Sequence, residues 1–193
     1  MKTSATYLLF YKPHGVLSQF SPSPGKKSLK DFGPFPPDVY PVGRLDADSE
    51  GSLLLTNDNG LRHRLTDPKF HHPRTYHVQV ERVPDTLSLE RLRSGVVIEG
   101  KKTKPAVVSL LANNPGHPPR PTPIRFRKNV PTAWLAMTLS EGRNRQIRKM
   151  TAAVGHPTLR LIRVKIGALS LEGIKPGEWK QLKTADVARL ISK

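Results

Sequence analysis

The chain has 193 residues and carries 32 Lys and Arg against 15 Asp and Glu, a formal net charge of +17. Hydrophobic residues make up 36%, enough for one core-bearing domain or two closely joined lobes. Cysteine is absent, which excludes disulfides, thiolate nucleophiles and cysteine zinc sites and fits a reducing cytoplasm, the expected location. The excess of cations favours a polyanionic partner, because Lys and Arg bind phosphates and release counterions. An anionic membrane surface would need a basic amphipathic helix with a bulky apolar face, and none is evident. No apolar run is long enough to span a bilayer, and Tyr7 to Tyr11 is too short for a signal-peptide core.

Taken in order, Tyr7-Leu8-Leu9-Phe10-Tyr11 predicts a buried strand that Lys12-Pro13-His14-Gly15 ends with a turn. Val16 to Phe20 would continue the sheet. Ser28 to Phe32 predicts a short helix stopped by Gly33 and Pro34. Val39 to Val42 reads as a strand end, and Gly43-Arg44-Leu45-Asp46-Ala47-Asp48-Ser49-Glu50-Gly51 follows as a loop. Two glycines bracket three acids in a chain that has few, with Arg44 beside Asp46. Buried pieces on both sides make this a rigidly held loop, a good place for chemistry.

Asn57-Asp58-Asn59-Gly60 is a turn signal, and Leu61 to Leu65 predicts a short helix with a basic face. Arg74 to Val80 is the cleanest strand, with Tyr76, Val78 and Val80 on one face. On that face Tyr76 is either core or, at the edge of a cavity, a ring that stacks on a base. Asp85 to Ser94 predicts a helix with Leu87, Leu89 and Leu92 inward, capped by Gly95. Val96 to Ile98 and Ala106 to Leu111 read as strands. Asn113 to Pro123 holds five prolines in eleven residues and reads as an irregular loop. Arg120, Arg125, Arg127 and Lys128 follow, either as a solvated basic loop or as a clamp for a nucleic-acid backbone.

Ala133 to Leu139 alternates as a strand. From Arg145, Ile147, Met150 and Val154 set a helical period that Gly155 ends. Four cations lie within seven residues, Arg143, Arg145, Arg148 and Lys149, and Gly142 with a helix start makes an anion site. Leu159 to Ile166 predicts a strand with Arg163 and Lys165 opposite Ile162, Val164 and Ile166, and a helix starts at Thr184.

Phosphate-loop, dinucleotide and zinc-deaminase signatures are absent. His-Glu-x-x-His spacing does not occur either. A metal-dependent nuclease with Asp46, Asp48 and Glu50 around magnesium remains a rival.

Five segments carry a family resemblance. They are Tyr11-Lys12-Pro13-x-Gly15-Val16, Gly43 to Thr56, Arg74-Thr75-Tyr76-x-Val78, Glu141 to Met150, and Leu161-Ile162-Arg163-x-x-Ile166-Gly167-x-x-x-Leu171. In this order they resemble the motifs of pseudouridine synthases of the RsuA/RluA type. Pro157 to Arg163 and the segment before Arg125 are most similar to the members acting on large-subunit (23S) rRNA. The resemblance implies isomerisation of uridine to pseudouridine in that RNA or its precursor particle, by a monomer, with no cofactor and no metal. By position, Asp46 is the catalytic carboxylate, acting as a nucleophile or as a base toward the sugar. Tyr76 stacks on the target uracil, Arg148 pairs with the carboxylate, and Arg44 fills the gap left in the RNA. Lys12, Arg143, Arg145, Lys149, Arg163, Arg125 and Arg127 are candidate RNA contacts, and Leu161 is a candidate pocket wall. The fold implied is α+β over residues 1–193: a largely antiparallel bent sheet in two lobes with flanking helices and a cleft between them. The first motif starts at Tyr7, which leaves no room for the small S4 domain that many RsuA-type members carry in front. A noncatalytic rRNA-binding protein explains the charge equally well, but not an aspartate among arginines on a glycine-bracketed loop.

Overall fold

A computed structural model describes residues 5–124 and 129–191, with the Ile191 side chain left out. The chain divides into two compact units. The first comprises residues 1–72 and 164–193, the second residues 73–163. Arg125 and Arg127 lie outside the described residues.

The first unit opens with β1 (Tyr7–Lys12), as its apolar run predicts. Next come β2 (Val16–Leu17) and β3 (Lys27–Ser28), a parallel pair apart from the main strands. Val16 to Phe20 therefore does not extend the sheet. Ser18 is tied to Leu45 and Gln19 to Leu29, which draws this segment away from β1. A single 3-10 turn, Leu29–Phe32, stands where a short helix was expected. β4 (Tyr40–Pro41) leads to the acidic loop, and β5 (Glu50–Thr56) leaves it. β5 runs antiparallel to β1, with Leu8 opposite Leu55 and Phe10 opposite Leu53. These four side chains form one buried cluster with Leu29 and Val39, against which Phe20, Phe32 and Phe35 pack. Phe10 meets Phe32 and Phe35 at ring-centroid distances of 5.5 and 5.9 Å. Burying each such Leu or Phe contributes about 1.5–3 kcal/mol.

α1 (Asn59–Thr66) begins inside the expected turn. Asp58 caps it by accepting the Leu61 N–H at 2.9 Å, because the residues that favour turns also favour helix starts. Leu61 and Leu65 point inward.

The second unit starts with β6 (Arg74–Glu81). α2 (Thr86–Ser94) follows, capped by Asp85 through the Ser88 N–H at 2.7 Å. Its inner face is Ser88 and Leu92, and Leu87 is 64% exposed, so the expected inward Leu87 is corrected by one position of helical phase. β7 (Val97–Ile98) and β8 (Lys101–Lys102) make a short hairpin. Gly95 before it has φ +87°, and a Cβ there would lie 2.3 Å from the Thr103 carbonyl oxygen, so only glycine fits this turn. β9 (Val107–Leu110) and β10 (Thr132–Leu139) are antiparallel neighbours, and β10 pairs with β6. In that register Tyr76 faces Met137, Val78 faces Leu135 and Val80 faces Ala133, which sets one apolar face. α3 (Gln146–Ala153) packs Ile147 and Met150 into the same cluster.

The proline-rich segment is irregular, as expected, yet it is fastened to its own unit. His117 lies 2.8 Å from His77 and against Trp134, and Arg160 donates to the Pro118 carbonyl at 2.7 Å. β11 (Thr158–Ile166) carries the chain out of the second unit. β12 (Leu169–Ser170), β13 (Trp179–Gln181) and α4 (Thr184–Ile191) complete the first, with β13 antiparallel to β1. The fold is α+β, with mostly antiparallel strands and flanking helices.

Candidate active site

In the first unit, the loop between β4 and β5 is held by its backbone. Ser18 Oγ donates to the Leu45 carbonyl at 2.8 Å and accepts the Leu45 N–H at 3.0 Å. Both residues are buried. Ser49 N–H donates to the Asp46 carbonyl at 3.0 Å, and Gly15 N–H to the Ala47 carbonyl at 2.7 Å. Gly43 and Gly51 sit at φ +70° and +112°, conformations that a side chain would strain. The backbone is thus fixed on both sides of Asp46, while the Asp46 and Arg44 residues themselves are exposed. A carboxylate so placed is rigidly mounted and reachable by a large substrate.

Glu50, in contrast, is 2% exposed. Among the described residues no three His, Asp or Glu side chains gather as a metal site, so Asp46, Asp48 and Glu50 do not form a magnesium cage. Lys12 is fully buried and donates to the carbonyls of Val16 at 2.7 Å and Pro13 at 3.0 Å. Its ammonium braces the turn after β1.

In the second unit, Tyr76 on β6 packs on the apolar cluster that contains Leu161 and Met150. Leu161 is buried in that cluster. Arg163 is 4% exposed, and Tyr76 is among the side chains that act on its charge. Burial pulls the Arg163 guanidinium below its usual value; the Tyr76 hydroxyl opposes this, and the nearby Arg74 charge adds to it. The Tyr76 side chain thus favours the charged form of this buried guanidinium. Arg148 on α3 is half-buried, and its Nη1 donates to the Thr158 carbonyl at 3.4 Å.

The Glu141–Met150 segment is largely scaffold at its start. Gln146 donates to Glu141 and accepts the Arg143 N–H at 2.9 Å, so that N–H is already committed and not offered to an anion. The Arg143 guanidinium donates to the carbonyls of Ile98 at 2.9 Å and Lys101 at 3.2 Å, which ties the β7–β8 hairpin to α3. Lys149 pairs with Glu99 at 2.6 Å and reaches Asn144 at 3.1 Å. Lys149 holds the Glu99 carboxyl below its usual value. Arg145, exposed and left-handed at φ +50°, starts the helix. Of the four cations in this run, Arg145 stands furthest into solvent.

Ser18 and the Tyr76–Arg163 contact are what sequence reading missed. Nothing in Val16 to Phe20 marks Ser18 beyond its polarity inside an apolar run.

The family model for RNA pseudouridylate synthases matches residues 6–153. The chain belongs to the RNA pseudouridylate synthase family. It is 55% identical over 175 residues to the ribosomal large subunit pseudouridine synthase E of Xanthomonas campestris pv. campestris, covering 90% of this chain and 93% of that one. The Vibrio vulnificus protein of the same name is 49% identical over 91% of this chain and 74% of its own. The ribosomal large subunit pseudouridine synthase B of Bacillus subtilis is 37% identical over 95% of this chain and 70% of its own. Among solved structures, a crystal structure of a pseudouridylate synthase superposes with a TM-score of 0.80 at 27% identity, covering 97% of this chain and 74% of that one.

Proposed function

We propose that this protein isomerises a uridine of large-subunit ribosomal RNA to pseudouridine, with Asp46 as the acting carboxylate. The observation that carries this reading is Asp46 itself, exposed on a loop whose backbone is pinned at Leu45, Asp46 and Ala47. The relatives named for the large ribosomal subunit supply the substrate class. The reaction breaks the bond between uracil N1 and the ribose, turns the base, and joins C5 to the same sugar carbon. C5 loses its proton to solvent and N1 gains one, so the nucleotide's composition is unchanged. Asp46 either attacks the sugar or takes a proton from it, a role suited to a positioned carboxylate. Tyr76 stacks on the displaced uracil, backed by the apolar cluster against which it packs. Arg148 belongs to the same catalytic set, and Leu161 supports the wall behind Tyr76. Arg44 takes the place of the extruded base. Extrusion costs roughly a few kcal/mol, which the cationic surface helps to supply through phosphate contacts. The protein acts as a monomer in the cytoplasm, on rRNA or its precursor particle. Among the described residues no helix is long and apolar enough to cross a membrane.

Pseudouridine mapping on large-subunit rRNA tests this reading. Cells lacking the protein should lose one modification and regain it on complementation. An unchanged modification map would overturn the assignment.

A further inference from the structure

Beside the Asp46 loop, the same unit exposes a surface that the reaction itself leaves unused. A Cβ on Gly43 would come 3.8 Å from the Thr66 methyl, so the end of α1 borders the loop. Besides Trp179 at 36%, two large aromatic residues among the described residues of this unit stand in solvent, Tyr40 at 53% and Phe70 at 43% exposure. Each carries a cation near its ring: Arg62 Cζ lies 5.4 Å from the Tyr40 centroid, and Lys69 Nζ 5.0 Å from that of Phe70. His63 meets the Phe70 ring edge-on, with centroids 5.9 Å apart. Arg64 and His71 on the same stretch are exposed as well.

From Asn59 to His72, Asp67 is the sole carboxylate, and it is already engaged by Lys69 at 3.2 Å and His63 at 3.5 Å. Exposed rings gain nothing from the core, and their cations are held where they leave the chain net positive. Stacking faces alternating with cations fit the bases and phosphates of a single strand. An acidic protein would match the charge but would leave flat rings without a matching partner face.

We propose that Tyr40, Arg62, His63, Lys69 and Phe70 form a docking platform for unpaired RNA flanking the reacting uridine. This rests on the reading of the protein as an RNA-modifying enzyme. The platform binds nucleotides outside the reacting centre and adds affinity without touching the chemistry.

The test uses the full chain and a large-subunit rRNA transcript substituted with 5-iodouridine. Irradiation should attach RNA at Tyr40 or Phe70. The double variant Tyr40→Ala/Phe70→Ala should weaken transcript binding by about tenfold for each ring, with the effect falling on KM. The ring-keeping variants Tyr40→Phe and Phe70→Tyr should bind as wild type does, which separates stacking from damage to the fold. Arg62→Gln/Lys69→Gln should flatten the salt dependence by about 0.7 log-log units for each phosphate that is no longer neutralised. Adducts elsewhere only, with wild-type affinity in the double alanine variant, would overturn the proposal. Weaker binding to ribosomal particles with unchanged binding to naked transcript would overturn it too, and would assign the surface to a protein partner. Should wild type bind and cross-link as expected yet form no pseudouridine in any rRNA, the catalytic reading fails and the platform stands.

Discussion

The Ser18 hydroxyl serves both the carbonyl and the amide of Leu45, next to the carboxylate on which the proposed chemistry turns. Ser18→Ala would leave two buried backbone groups unsatisfied, a loss of about 1–3 kcal/mol. The expected outcome is a lower urea midpoint and a lower kcat with RNA affinity kept, read from denaturation and steady-state kinetics. An unchanged kcat would show that the loop is held by other means. At this scale the sequence is informative where a residue type is rare in its surroundings: Asp46 stands out among cations, and Tyr76 in a clean strand. It is uninformative where burial decides. Lys12, Arg143 and Arg163 read as phosphate contacts because they are cations in basic motifs. In the fold, Lys12 and Arg143 donate to carbonyl groups and Arg163 is buried. Side-chain charge is visible in a sequence, but the partner that neutralises or satisfies it is set by tertiary packing.

Among the elements, α1 shows how a local signal can be right in kind and wrong in assignment. Asn57 to Gly60 marks a reversal, and it is the start of a helix. Asp58 accepts the Leu61 N–H, which is the main cause of its lowered pKa; burial opposes this, and the Tyr7 hydroxyl at 2.8 Å adds to it. On Tyr7, burial comes first and Asp58 second, and both push the phenol up. A carboxyl lowered in the fold stabilises it above the unfolded carboxylate value and loses that effect as pH falls through the lowered value. Asp58→Ala should therefore cost about 1 kcal/mol at neutral pH, a typical loss for a cap reachable by solvent. In urea titrations the gap between variant and wild type should close as pH falls below the carboxylate range. A gap that stays constant into acid would mean that the hydrogen-bond geometry matters without the charge. Strand periods are legible because β6 and β10 alternate cleanly, with Val78 and Leu135 inward. The helical phase of α2 is less so: three leucines share it, and Leu87 is the one left outside.

For the whole molecule, charge and motif order by themselves point to a nucleic-acid enzyme, and membership of the RNA pseudouridylate synthase family agrees. Composition does not reveal that the chain forms two units, because the crossing lies inside one continuous strand, β11, at Arg163 and Val164. The proposed reaction moves one bond within one nucleotide and calls for no metal. Saturating chelator should leave the rate on prefolded RNA unchanged, and a loss restored by adding a divalent ion would favour a metal-dependent reading. The most direct measurement is pseudouridine formation by Asp46→Asn, followed as tritium release from a transcript labelled at uracil C5. The substitution keeps the side chain's size and removes its charge, so the loop should still fold and RNA affinity should stay equal or rise slightly. Melting and binding curves run on the same preparation establish both points. The account predicts that release then falls to background, because an amide can neither attack the ribose nor take its proton. A variant that melts and binds as wild type does and still isomerises uridine at the wild-type rate would contradict it.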